Sequence, residues 1–136
     1  MASVFTLIME EKIPGHFVWR DEQCIAIMTI QPIRAGHVLV IPREEIDQWT
    51  DLPLATATHL MQVSHKISNA LKKAFPSLRV GLMIAGLEVP HTHIHLVPID
   101  SMEDLSFAHA KNADAESLAA AAEKIREVLA AESSAA

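Results

Sequence analysis

Hydrophobic residues recur along this chain with two different periods, and the switches between them mark out its elements. Runs or alternations of aliphatic and β-branched residues, bounded by Pro, Gly and short polar turns, predict strands over 16–20 (HFVWR), 24–30 (CIAIMTI), 37–42 (HVLVIP), 79–85 (RVGLMIA) and 91–97 (HTHIHLV). The second is nearly all apolar and reads as central. The turn Asp21-Glu22-Gln23 separates it from the first, and Pro90 and Pro98 bound the last. Leu60, Val63, Ile67, Ala70 and Ala74 recur at three and four, which predicts one long helix with a single core-facing stripe. Asp51 is its expected N-cap, Pro53 sits in its first turn and Pro76 ends it. Leu118, Ala121, Ala122, Ile125, Val128 and Leu129 predict a second helix over 114–131, with 132–136 expected to fray. A short helix over 3–10 has Ser3 as its cap, and Pro14-Gly15 marks a turn. Strands in groups, with helices between and after them, predict an α+β domain with a mostly antiparallel sheet.

Composition narrows the partners more than the fold. The chain has 136 residues, enough for one domain with its own core, and a formal net charge of −6 with no Lys/Arg run. A nucleic-acid backbone is therefore not expected as a partner, although a small anionic ligand is compatible with an acidic protein. One cysteine, Cys24, rules out a disulfide within the chain and a cysteine zinc cluster, and points to a reducing compartment. The start, MASVFTLIMEEKIPG, lacks a positive n-region, and no stretch reaches the roughly 20 apolar residues of a membrane span. The expected location is the cytoplasm, with no membrane partner.

The chemistry concentrates in EVPHTHIHLVP, residues 88–98. In a strand, His91, His93, His95 and Val97 share one face, and Thr92, Ile94 and Leu96 share the other. A lone strand histidine is usually just a satisfied polar residue; three on one face ask for a site. One option is a metal, held by two of the three plus His37, because His91 and His95 lie roughly 13 Å apart, too far for one ion to collect all three. The other is phosphate chemistry. Imidazole is a nucleophile at neutral pH, its neighbours can hold its tautomer, and the turn Ala85-Gly86-Leu87-Glu88 can offer backbone N–H groups, with Gly86 permitting close approach.

HTHIHLV resembles the signature of the histidine triad (HIT) family of nucleotide hydrolases and transferases, with Thr92 at a usually apolar position. IQPIRAGHVLVIPREE (30–45) and IAGLEVPH (84–91) resemble the family's other conserved stretches, so the likeness covers about residues 4–100. The resemblance implies a HIT-like α+β fold: a five-stranded antiparallel sheet with one long helix and a C-terminal helix, joined to a second copy across a homodimer. The whole of 1–136 reads as one such domain, with a core at about 4–100 and a helical extension at about 101–136. The implied chemistry is attack on a nucleotide α-phosphate, with His93 as nucleophile, a nucleotidyl-histidine intermediate and no cofactor or catalytic metal. By match, His95 contacts the scissile phosphate and leaving group, His91 orients the site and His37 supports the nucleophile. Thr29, Ile30, Gly86, Leu87, Glu88 and Val89 fall at substrate-binding positions.

The departures cluster at the substrate end. Ser3 and Thr6 stand where many relatives carry a Cys-x-x-Cys zinc motif, and Glu45 stands where they carry a histidine, so a structural zinc is not expected. Thr29 replaces the family's ribose-binding acid, Val80 an Asn or Gln, Leu87 a Gln, Glu88 a Ser or Thr, and Ile99 a basic residue. Glu88 beside a phosphate requires that its side chain point away or that the substrate carry a positive group there. The rival readings are a nucleotide- or phosphate-binding module with little turnover and a metal-dependent hydrolase. Elsewhere, His59 and His65 are expected to face solvent, His16 and His109 to stand alone, Cys24 to lie in the core, and Met61 and Met102 to fill gaps. Trp19 and Trp49 are expected in core or dimer contacts.

Overall fold

The structure is a computed structural model and describes residues 2–135. Its elements are α1 (Val4–Met9), β1 (Phe17–Arg20), β2 (Cys24–Met28), β3 (Val38–Pro42), α2 (Leu54–Ala74), β4 (Arg79–Ile84), β5 (Ile94–Ile99) and α3 (Ala115–Ala135). The strands form one antiparallel sheet in the order β1-β2-β3-β5-β4. β2, β3 and β5 are buried at every position, as strands covered on both faces must be.

Strand parity assigns the two faces. Cys24, Ala26, Met28, Val38, Val40, Ile94 and Leu96 point toward α2 and α3 and meet Leu60, Val63, Ile67, Leu71, Leu118 and Ile125. Ile25, Ile27, Leu39 and Ile41 point the other way and meet Phe5 and Ile8 of α1. Leu39 is paired with His95, so the triad emerges on the α1 face. α1 is only six residues long, and its N-cap Ser3 accepts the N–H of Thr6.

Several boundaries differ from the sequence reading. β5 starts at Ile94 rather than 91, because the N–H and the hydroxyl of Thr92 both donate to the Ile46 carbonyl, at 2.8 and 2.7 Å, and draw the chain off the sheet. That is also why a threonine is buried there. β5 then continues through Pro98, opposite Val80, to Ile99. α2 is capped by Pro53, whose extended backbone leaves Asp51 in a separate 3₁₀ turn at Trp49–Asp51. α3 runs to Ala135, past the start of the expected fraying; Ala136 lies outside the described residues. Met61 and Met102 are exposed rather than filling gaps.

A single carboxylate ties the β1–β2 turn to α2. Asp21 Oδ2 accepts from Trp19 Nε1 at 2.8 Å and His59 Nε2 at 2.7 Å, and Oδ1 accepts the N–H groups of Gln23 and Cys24 at 2.7 and 2.8 Å. His59 is thus half-buried and paired, not the solvent-facing residue its spacing suggested. Burial raises the Asp21 carboxyl, but these hydrogen bonds outweigh burial and hold it far below the usual carboxylate range. Burial, then the Asp21 charge, pushes the Cys24 thiol up to about 12, so Cys24 is an inert core residue.

Replacing Asp21 by Ala leaves four donors without their acceptor and lowers unfolding free energy by about 1–3 kcal/mol in chemical denaturation. Because the folded-state value is depressed, this contribution is present above the unfolded carboxyl near 3.9 and fades as pH falls below it. An Asp21→Asn protein lacks that acid-dependent loss.

Candidate active site

Four imidazoles meet on the α1 face, and all four are buried: His37, His91, His93 and His95. His37, just before β3, pairs with His95 on β5, and the approach to β5 carries the other two. Gly36, with φ +90°, turns the chain into His37, and a side chain there would press on the Phe75 ring.

The backbone partners decide where each ring proton sits. A main-chain N–H only donates, and a carbonyl only accepts. Ile33 N–H donates to His37 Nδ1 at 3.0 Å, so the His37 proton is on Nε2 and donates to His95 Nδ1 at 2.9 Å. His95 must then carry its own proton on Nε2, a buried atom with no partner. His93 Nδ1–H donates to the His91 carbonyl at 2.8 Å, which leaves the neutral ring with an unprotonated Nε2. His91 Nε2–H donates to the Pro42 carbonyl at 2.7 Å, and the Ser3 hydroxyl donates to His91 Nδ1 at 2.6 Å. Burial, then the neighbouring imidazoles, lowers His37 to about 4 and His95 to about 3; burial also lowers His91. The neutral tautomers of His37, His91 and His95 therefore hold at neutral pH.

The result is a lone pair on His93 Nε2 beside an unpartnered donor on His95 Nε2, in rings whose centroids are 4.9 Å apart. Phe5 flanks His93 edge-on at 5.0 Å, and Phe107 flanks His95 at the same distance. A cleft of about 640 Å³ opens over them. Such a pair can attack an electrophile and donate a hydrogen bond to the charge that develops.

Of the residues singled out in the sequence, the cleft is lined by His37, His93, His95, Thr29, Ile30, Glu88 and Val89. His91 lies behind the others. Gly86 and Leu87 do not line the cleft, and Leu87 is 92% exposed. Gly86 has φ +78°, the left-handed turn that favours glycine. Among the described residues no backbone hydrogen bond uses the N–H of Leu87, Glu88 or Val89. Glu88 lines the cleft but is exposed, which lets solvent screen its charge. Two contributors escaped sequence reasoning. Ser3 was legible as a helix cap and as a lost zinc-motif position, not as a partner of the triad, and Phe107 lies in a stretch without periodicity.

A family model for the HIT domain matches residues 10–102. An uncharacterized HIT-like protein of Borreliella burgdorferi is 34% identical over 102 residues, 70% of this chain and 73% of that one. A Saccharomyces cerevisiae protein named adenosine 5'-monophosphoramidase is 31% identical over 71% of this chain and 62% of its own. The crystal structure of a zinc-bound histidine triad family protein from Mycobacterium smegmatis superposes with a TM-score of 0.86 at 27% identity, covering 100% of this chain and 99% of that one. The residues at the zinc-motif positions here do not fit the metal. Ser3 offers a hydroxyl already committed as a donor to His91 Nδ1, Thr6 offers no thiolate, and Glu45 accepts the Ser3 N–H. Hydrogen bonds join α1 to the triad in its place.

Ser3→Asp keeps the cap of α1 but cannot donate to His91, and its charge favours a proton on Nδ1. The His91 imidazole then titrates at higher pH than in wild type, read by ¹⁵N chemical shifts, whereas Ser3→Thr leaves it unchanged.

Proposed function

The chain belongs to the histidine triad (HIT) family, and from that premise we propose a nucleotide hydrolase or transferase that attacks an α-phosphate through His93. The observation that carries this is the His93 Nδ1–H bond to the His91 carbonyl, on a ring that lines the cleft, which makes Nε2 the nitrogen left for a substrate. Nε2 attacks phosphorus, a P–N bond forms and the bond to the leaving group breaks. Water then attacks the nucleotidyl-histidine, the P–N bond breaks and the neutral ring returns.

His95 acts here as a hydrogen-bond donor to the phosphoryl oxygen or leaving group. It is not a proton source in its neutral state. Its proton could be replaced only from His37, and His37 is held at its far side by an amide N–H that has no proton to pass on. The leaving group therefore takes its proton from solvent at the cleft mouth. His91 positions His93, and Ser3 positions His91. The name of the yeast relative supports a phosphoramidate among the substrates.

A binding module with little turnover is the second reading. Its support is that no Lys or Arg lines the cleft among the described residues, while Glu88 does. Acid-quenched intact-mass measurement after mixing with adenosine 5'-phosphoramidate separates the two. Wild type is expected to gain one adenylyl group and His93→Gly none; tight binding without adduct or released monophosphate would favour the module.

We also propose that two copies pair through β4. This strand is hydrogen-bonded only to β5, and its Leu82 is 41% exposed. Beside it an apolar groove of about 880 Å³ is lined by Trp49, Leu52, Leu60, Met61, Ile84 and Ile94. The opposite edge is covered, since Arg126 of α3 donates to the Phe17 carbonyl of β1 at 2.6 Å. The lone buried thiol and the acidic surface fit a cytoplasmic protein. Sedimentation is expected to give a dimer for wild type and a folded monomer for Leu82→Arg.

A further inference from the structure

Asp21, Cys24 and His59 meet on the side of the sheet away from the triad. Cys24 packs with Leu60 and Val63 of α2, whereas the triad emerges on the α1 face. The three residues come from the β1–β2 turn, the first position of β2 and the first half of α2. One ligand atom from each lies within 4.8 Å of the others, the one such set of His, Cys, Asp or Glu among the described residues.

Hydrogen bonding alone accounts poorly for this arrangement. An ionised carboxylate has about four lone-pair sites. Asp21 faces five donors: the Gln23 and Cys24 N–H groups at Oδ1, and Trp19 Nε1, His59 Nε2 and the Cys24 thiol at Oδ2, the last at 3.6 Å. Three of the five crowd one oxygen. A single divalent ion in place of the His59 and Cys24 protons relieves that crowding.

The separations suit zinc. Bonds of about 2.0–2.1 Å to N and O and about 2.3 Å to S, set tetrahedrally, place N and O about 3.3 Å apart and S about 3.6 Å from either. Sγ and Oδ2 already stand 3.6 Å apart. Nε2 and Oδ2, at 2.7 Å, need to part by about 0.6 Å. His59 Nδ1 makes no hydrogen bond among the described residues, so it can carry the ring proton and leave Nε2 to the metal. The Gln23 and Cys24 N–H groups hold Oδ1 and so direct Oδ2 toward the other two ligands, as outer-shell donors do in metal sites. The side chains of Asp21 and His59 reach solvent and give an ion its entry, with the buried thiol behind them.

We propose that Asp21, Cys24 and His59 bind one divalent ion of the zinc type, with Cys24 as thiolate and water in the fourth position. The thiol, inert on its own, yields its proton to solvent on coordination, and thiolate and carboxylate together balance the charge of the ion. This place is separate from the Ser3, Thr6 and Glu45 positions. The ion clamps the β1–β2 turn to α2 and takes no part in the chemistry at the triad.

Cys24 is the single cysteine of the chain, so thiolate-to-cobalt charge transfer in the near ultraviolet reports this site alone. The full chain is titrated with Co²⁺ as the spectroscopic stand-in for zinc. Wild type is expected to develop the band to saturation at one Co²⁺ per chain and to lose it when Zn²⁺ is added. His93→Gly is expected to keep it. His59→Gln, whose amide can still donate to Asp21, is expected to bind Co²⁺ at least about tenfold more weakly, since even outer-shell partners cost about 10–100-fold. Cys24→Ala is expected to take up one Zn²⁺ fewer than wild type in equilibrium dialysis. Absence of the band in wild type, its loss in His93→Gly, undiminished Co²⁺ affinity in His59→Gln, or equal zinc uptake by wild type and Cys24→Ala would each overturn the proposal.

Discussion

An imidazole removed from water must have partners for both nitrogens or be left open for a ligand, and four of them are buried here within one small region. That constraint organises the site. Among the described residues no carboxylate hydrogen-bonds the triad rings; instead three main-chain groups, the Ile33 N–H and the carbonyls of Pro42 and His91, assign the ring protons. Backbone groups of fixed polarity make each tautomer a consequence of the fold rather than of a side-chain rotamer. What remains without a partner after this accounting is one lone pair on His93 and one proton on His95.

Much of this was legible in the sequence. Alternation placed the triad on one face, and the all-apolar runs of β2 and β3 marked the strands that carry the core. The limits came from long-range hydrogen bonds. Nothing local shows that Thr92 would bond Ile46 and delay the start of β5, or that His59, on the outer stripe of α2, would reach back to Asp21. Pro53 was read as an ordinary first-turn proline, but its extended backbone makes it the cap. Phe107 belongs to a short 3₁₀ turn, too brief for any period to register.

The cleft draws on both halves of the chain. The sheet supplies the histidines, and the segment after β5 supplies Phe107, Ala110, Ala113 and Leu118 to its lining. Arg34 pairs with both Asp100 and Asp104 where that segment begins, so the same loop that leads into His37 also fixes where the wall starts. Exposed pairs of this kind add little to stability, but here they set the geometry of a shared boundary.

β3 is five residues long, and it reaches the triad at both ends: His37, just before it, holds His95, and the carbonyl of Pro42, its last residue, holds His91. The strand is thus a ruler for the triad. A slip of one residue between β3 and β5 turns every side chain to the opposite face and would detach both histidines together. The correct register of this one short strand is therefore what holds both outer histidines of the triad at once.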